Sequence, residues 1–566
     1  MRAWEGKSIM IKKENSNGIV LGIKDNLALI QPTSSELPNR NCFVVGGPGS
    51  AKTQSFVVTN VLNERQCSVV ATDPKGELYE MTAKIKAAQG YEVHVINFMD
   101  MSNSDHYNCF DYVRKDREAT TVANTMVAAK NDPKHKDIWY NAQLSLLKAL
   151  ILYSIYEMPV ENRNMSGILD FLQDFDPEQN EEGTSSLDEQ FLKLNKSHPA
   201  RRAYELGFKK SQEATRASII ISLLTTIGDY VDQEVADFTS NSDFFLSDVG
   251  KRKIMLYVII PVMDDTWEGL INLFFNQMFQ ELYTLGAENN SKLPQPVIFL
   301  LDEFPNLGRF DNYETFLATC RGYGIACCTI IQNITQLQEK YGREQAESIL
   351  GNCGIKLCLG NVNDTTAKYF SELAGKTTVK VETSSKSTSK GNKSDSSSSS
   401  QNFSYTARNL INADEILTMN PDESVLIITG KYPIKLNKAK QFELYPGMTQ
   451  KFRVSQKDYE RKMTDEVKAF REAKKAEYEK YISSDEKQQE KKENEEKLHE
   501  EKIKNVDESD MKDIEMLGKI INEKTEDENK NNDIENKKFE NNDEFENMED
   551  LNELIGMEEF QNENEK

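Results

Sequence analysis

The sequence predicts an α/β protein built on a mainly parallel sheet covered by helices on both faces. Three observations carry that expectation. Apolar runs of strand length recur along the chain: Cys42–Val45, Ser68–Thr72, Glu92–Asn97, Ile254–Ile260, Val297–Leu301, Ile325–Ile331, Ile355–Leu359 and Val425–Thr429. Segments of helical periodicity separate several of them, and unbroken apolar runs suit strands buried on both sides. A glycine-rich turn follows the first run and an acidic pair closes the fifth. In a parallel sheet, ligands gather at such carboxyl ends.

The turn comprises Gly46, Gly47, Pro48, Gly49, Ser50, Ala51, Lys52 and Thr53. A strand, a glycine-rich loop and a helix opening on Lys-Thr form a phosphate-binding layout. Backbone N–H groups point inward, the helix start favours negative charge, and the lysine meets the β- and γ-phosphates of ATP. Thr53 is the expected Mg²⁺ ligand. Ala51 departs from the pattern, standing where the second glycine of G-x-x-x-x-G-K-[ST] belongs, and its methyl narrows the space beside the phosphates.

Val297–Leu301 ends in Asp302 and Glu303. A buried strand closing on two carboxylates is the Walker B arrangement, in which Asp302 holds Mg²⁺ through water and Glu303 orients and deprotonates the attacking water.

Lys52 and Asp302 lie 250 residues apart, far more than one βαβ unit needs. The intervening periodicity is helical, as in Ile138–Met158, Ile168–Phe175 and Ala217–Ile227. The expected organisation is therefore a nucleotide-binding domain from residues 1–114 and 241–450, carrying an inserted all-α domain over 115–240. Residues 382–404 are Ser-rich and expected to form a flexible loop topping a hairpin. Residues 451–482 read as a charged, exposed helix with Glu/Lys pairs. Residues 483–566 read as an acidic disordered tail. Near its end Phe545, Met548, Leu551, Leu554, Ile555 and Phe560 could line one face of a partner-docking helix.

Composition narrows the function classes. Net charge is −23, of which 451–566, with 37 acidic and 23 basic residues, carries −14. Any nucleic-acid path is therefore a local basic surface rather than a global field. The eight cysteines contain no C-x-x-C pair and the five histidines have no metal spacing, which points to buried thiols in a reducing compartment. No segment has the composition of a membrane span.

The order of further motifs resembles one family. After the loop come Asp73-Pro-Lys-Gly-Glu77, Tyr107-Asn-Cys-Phe-Asp111, Ile138-Trp139, Tyr257-Val-Ile-Ile-Pro261 and Leu301-Asp-Glu-Phe304. Arg321-Gly-Tyr-Gly324, Ile331-Gln332, Gln336-Leu337 and Asn363-Asp364 follow. This succession is similar to the TraG-like type IV secretion coupling proteins, the conjugal-transfer ATPases, over roughly residues 18–450. The resemblance implies a RecA-like domain bearing an all-α domain, and a homo-hexamer with ATP sites between subunits. It implies three kinds of partner: relaxase and relaxosome proteins, single-stranded DNA, and the secretion channel with its membrane proteins. By the same resemblance Gln332 senses the γ-phosphate and Arg321 acts in trans on the neighbouring subunit's site. Asp73 and Lys75 are expected to support the site rather than to react.

Family members usually open with membrane-spanning helices. None precedes the loop here, so the expectation is a cytoplasmic protein peripheral at the inner face of the membrane, or a frame opening further upstream. The leading functional expectation is an ATP-driven nucleoprotein translocase. The alternatives are another RecA-like DNA pump and a nucleotide-binding adaptor without hydrolysis.

Overall fold

A strand with apolar residues at every position can feed two cores at once, because successive side chains leave opposite faces of the pleat. Strand β3 (Cys42–Val45) does so: Phe43 and Val45 enter one buried cluster, Cys42 and Val44 the other. The same alternation holds along Ile254–Ile259, Val297–Leu301 and Ile325–Ile331. Full burial of each such side chain stabilises by roughly 1.5–3 kcal/mol.

The computed structural model describes residues 17–33, 39–130, 137–174, 184–211, 213–262, 266–310, 312–391 and 394–483. In chain order its strands are β1 (Gly18–Lys24), β2 (Leu27–Pro32), β3, β4 (Ser68–Asp73), β5 (Glu92–Asn97), β6 (Ile254–Ile259), β7 (Val297–Leu301), β8 (Ile325–Ile331), β9 (Ile355–Cys358), β10 (Lys376–Gly391), β11 (Ser394–Asn409), β12 (Glu423–Ile428) and β13 (Ile434–Asn437). Eleven of them make one sheet in the order β2-β1-β13-β12-β9-β3-β8-β7-β4-β6-β5. Every pair from β9 through to β5 is parallel, whereas β12, β13, β1 and β2 extend the β9 side in antiparallel fashion. All eight strands expected from sequence are present. β1, β2 and β13 are additional.

Between β5 and β6 the described residues form helices and turns, including Asp116–Lys130, Ile138–Glu157, Met165–Gln173 and Glu213–Ile227. Their apolar sides join the Phe43/Val45 face together with the long helix Glu268–Glu288. Helices Val58–Asn63 and Glu77–Ala88 cover the other face. The described residues up to Ala476 form one compact unit, and those from Glu477 on belong to a second.

Two segments differ from the sequence expectation. The Ser-rich stretch is not a loop on a short hairpin: β10 and β11 pair without slip from Lys376↔Asn409 to Gly391↔Ser394. Apolar alternation cannot reveal such a ribbon, because serine hydroxyls carry no periodic signal while the backbone still pairs. Likewise the charged helix begins only at residue 465. Before it, Tyr445, Met448, Phe452, Val454 and Tyr459 pack against the second core. The Tyr459 hydroxyl donates to Asp105 Oδ2 at 2.6 Å, which in turn accepts from His94 Nδ1 at 2.8 Å. Tertiary burial of these aromatics overrides the helical charge pattern. The tail from residue 484 on, with the docking segment expected near 545–560, lies outside the described residues.

Candidate nucleotide site

Strand β3 sits between β8 and β9, so the loop at Gly46 leaves the central strand of the eleven-stranded sheet. Gly46 N–H donates to Ile331 O at the end of β8, and Gly47 N–H to Gly360 O beyond the end of β9. The loop backbone runs so close to its neighbour that a Cβ on Gly47 would lie 1.7 Å from Asn361 O. Gly49 has φ +75° and Ala51 φ +63°. Left-handed backbone costs an L-residue with a Cβ roughly 1–2 kcal/mol. Ala51 therefore carries backbone strain as well as a methyl group.

Three carbonyls of the loop are held by lysine and asparagine side chains. Lys52 Nζ donates to Gly46 O at 2.7 Å, Asn361 Nδ2 to Pro48 O at 2.9 Å, and Lys438 Nζ to Ser50 O at 2.9 Å. Ala51 O accepts from both Ser55 N–H and Ser55 Oγ.

β7 lies two strands from β3, about 10 Å away at the usual spacing, with the end of β8 between them. Side chains close that gap. Thr53 Oγ1 donates to Asp302 Oδ2 at 3.2 Å, Lys52 Nζ lies 3.7 Å from Glu303 Oε1, and Gln332 Nε2 donates to both Glu303 oxygens at 3.0 and 3.1 Å. Glu303 is itself left-handed, φ +50° and ψ +45°, in the sharp turn before Phe304–Leu307. Such backbone concentrates at functional sites. Burial, reinforced by the neighbouring Glu303 charge, pushes the Asp302 carboxyl up to about 6.

The residues suit a magnesium nucleotide. The hydroxyl of Thr53 and the carboxylate of Asp302 are hard oxygen donors that sit together, as Mg²⁺ requires. Ser50 Oγ is buried with no hydrogen-bond partner among the described residues, and the Lys52 ammonium stands 8% exposed beside the glycine turn.

Arg321 is not brought to this cluster. It is exposed in the turn Cys320–Tyr323, which precedes β8, while Gln332 follows β8. The seven-residue strand between them spans about 23 Å. Asp73 accepts from Tyr79 N–H at 2.9 Å and so caps the helix Glu77–Ala88, and burial raises its carboxyl to about 6. Sequence reasoning names Lys438 only as part of the basic cluster Lys435–Lys440 and misses Asn361; neither contact with the loop, made from more than 300 residues away, belongs to a local motif. Among the described residues there is no metal-binding cluster of His, Cys, Asp and Glu, and all eight cysteines are free and buried. No helix among them is long and apolar enough to cross a membrane.

Comparison with known proteins agrees with this architecture. Protein VirD4 of Rhizobium radiobacter is 25% identical over 426 residues, covering 72% of this chain and 58% of the relative. Conjugal transfer protein TraG of Escherichia coli is 26% identical over 398 residues, covering 65% and 60%. The chain thus spans about three fifths of the length of these curated relatives. Among solved structures, the unbound coupling protein TrwBdeltaN70 superposes with a TM-score of 0.52 at 14% identity, over 75% of this chain and 88% of that one. TrwB bound to the non-hydrolysable ATP analogue ADPNP gives 0.53 at 14%, over 77% and 94%. At that identity the likeness is one of fold, a RecA-like P-loop α/β architecture. Residues 11–491 match the family described as "Type IV secretory system Conjugative DNA transfer", and the chain belongs to this family of type IV coupling proteins.

Proposed function

We propose that this chain is an ATP-driven coupling protein that recruits relaxase-bound single-stranded DNA and delivers it to a type IV secretion channel at the inner face of the membrane. The observation that carries the proposal is the convergence of Lys52, Thr53, Asp302, Glu303 and Gln332 on one point of the sheet's carboxyl edge. Conjugal-transfer relatives support the cellular setting.

In this reading the loop's N–H groups and Lys52 bind the phosphates, with Thr53 and Asp302 holding Mg²⁺. A bound Mg²⁺ would neutralise negative charge on the phosphates. Phosphate takes Lys52 away from Gly46 O and Glu303, leaving Glu303 oriented by Gln332 alone. Glu303 then accepts a proton from the attacking water as the water oxygen bonds to the γ-phosphorus. The bond to the β–γ bridging oxygen breaks, and that oxygen leaves with ADP. Arg321, remote from its own site, serves the site of the adjacent subunit in a homo-hexamer, which makes turnover depend on assembly.

Steady-state turnover tests this. ATPase activity is expected, raised by single-stranded DNA and abolished in Lys52→Ala and Glu303→Gln. Mixing Arg321→Ala with Glu303→Gln subunits is expected to restore part of the activity, and no recovery would count against a shared site. The strained Ala51 favours a second reading, an adaptor using nucleotide as a structural ligand. Binding without turnover under hexamer-favouring conditions would select it.

A further inference from the structure

Lys438 is the first residue after β13 and is only 3% exposed. A buried ammonium needs a partner, yet among the described residues it forms no ion pair. Its hydrogen bond goes to a main-chain carbonyl, Ser50 O, in the middle of the phosphate-binding turn. The antiparallel edge explains how it gets there: β13 runs opposite to β12, which runs opposite to β9, so β13 ends on the same edge of the sheet as β3. Its neighbours tie the segment down along the helical stretch Thr53–Asn63 that follows the turn. Thr59 Oγ1 donates to Ala439 O at 2.7 Å, and Gln441 Nε2 donates to Gln54 Oε1 at 3.1 Å.

The peptide that Lys438 grips joins Ser50 to Ala51, the residue with φ +63° at the position where the pattern calls for glycine. No peptide bond among the described residues is cis, and in a trans peptide the C=O and N–H point in opposite directions. Pinning Ser50 O against Lys438 therefore turns the Ala51 N–H away from Lys438.

We infer that Lys438 is a positioning residue of the nucleotide site: by holding the Ser50 carbonyl outward it keeps the Ser50–Ala51 peptide in the orientation that presents the Ala51 N–H to phosphate. Alanine resists that orientation and glycine does not, so the lysine compensates for the departure from the glycine pattern. The inference rests on the nucleotide-binding part of the proposed function. Burial lowers the lysine's affinity for its proton, with Asp422 opposing that shift.

A double-mutant cycle on the full-length protein tests it, using Lys438→Met, Ala51→Gly and the pair. The readouts are the affinity for a fluorescent ATP analogue with Mg²⁺ and amide hydrogen exchange of residues 46–53 without nucleotide. Lys438→Met is expected to weaken binding by about tenfold, the scale of a hydrogen bond to a charged group, and to speed exchange in the loop. In the Ala51→Gly background the same change is expected to cost at most about threefold, because glycine holds the left-handed conformation unaided. Equal losses in both backgrounds would reduce Lys438 to a general staple and overturn the inference, as would unchanged affinity in the single variant. Should Lys438→Met fail to fold, Lys438→Gln supplies that arm of the cycle. Failure of the wild-type protein to bind the analogue would overturn the proposed function along with this inference. Binding with an additive cycle would overturn the inference alone.

Discussion

The phosphate-binding turn and the β10–β11 ribbon are both made of small and hydroxyl-bearing residues punctuated by lysine, and they end in opposite physical states. In the turn, Gly46, Pro48 and Ser50 each have their carbonyl held by a side chain, two of them from distant parts of the chain. In the ribbon each strand pairs with the other, and the two form a sheet of their own. Among the described residues it is tied to the body at its base, where Leu410 N–H donates to Gly375 O and Asn409 Nδ2 to Ser371 Oγ. Val381, Phe403 and Tyr405 stay exposed, and Lys380 lies over the Phe403 ring at 3.8 Å. Similar composition therefore gives rigidity where the sheet topology delivers outside partners and a self-contained projection where it does not.

If partners rather than composition decide, the largest loss should follow from unmaking a buried polar cluster. His94 offers the sharpest case. Burial opposes its charge, but hydrogen bonds to Asp105 and Glu92 outweigh burial and raise its pKa to about 9. Since the folded value lies above the ordinary 6.5, the charged ring stabilises the fold fully below about pH 6.5, and this contribution disappears as pH rises through about 9. The size is on the order of 3 kcal/mol. Urea unfolding of His94→Gln should show that deficit near pH 6 and a much smaller one at pH 10. A deficit independent of pH would mean that the ring stabilises by packing alone.

A smaller effect belongs to the turn itself. Ala51→Gly removes the left-handed strain but adds unfolded-state freedom, so a net gain of about 0.5–1 kcal/mol is expected. Thermal unfolding of the nucleotide-free protein measures it. A loss would show that the Ala51 methyl contributes packing worth more than the strain it causes.

The same contrast explains what the sequence reveals. β3, β7 and β8 are readable to the residue because parallel strands buried on both faces are almost wholly apolar. β13, with the alternating half-buried pattern of Ile434, Lys435, Leu436 and Asn437, has no such signature, and Gly18 and Gly22 interrupt β1. At the site, Lys52, Thr53, Asp302 and Glu303 follow strand ends that the sequence displays. Asn361 and Lys438 do not, because their role exists only once β9 and β13 have been placed in the sheet. Arg321 reads as part of the site only through family resemblance, and the chain itself leaves it at the other end of β8.

The smallest effect expected is from removing the ribbon, and it is the most direct challenge to the comparison. Lys376 pairs with Asn409, so the two strands enter the body side by side, at the roughly 5 Å separation that a two-residue Asn-Gly turn spans. Replacing residues 378–407 by that turn keeps Arg408 and its ion pair with Glu415. It deletes no residue of either main core cluster, and shortening a loop changes closure entropy only slowly with length. Unfolding free energy is therefore expected to stay within about 0.5 kcal/mol of wild type, with unstimulated ATP turnover unchanged. A loss of several kcal/mol, or loss of basal turnover, would show that the ribbon braces the body through contacts of its faces, and the distinction between the two regions would fail.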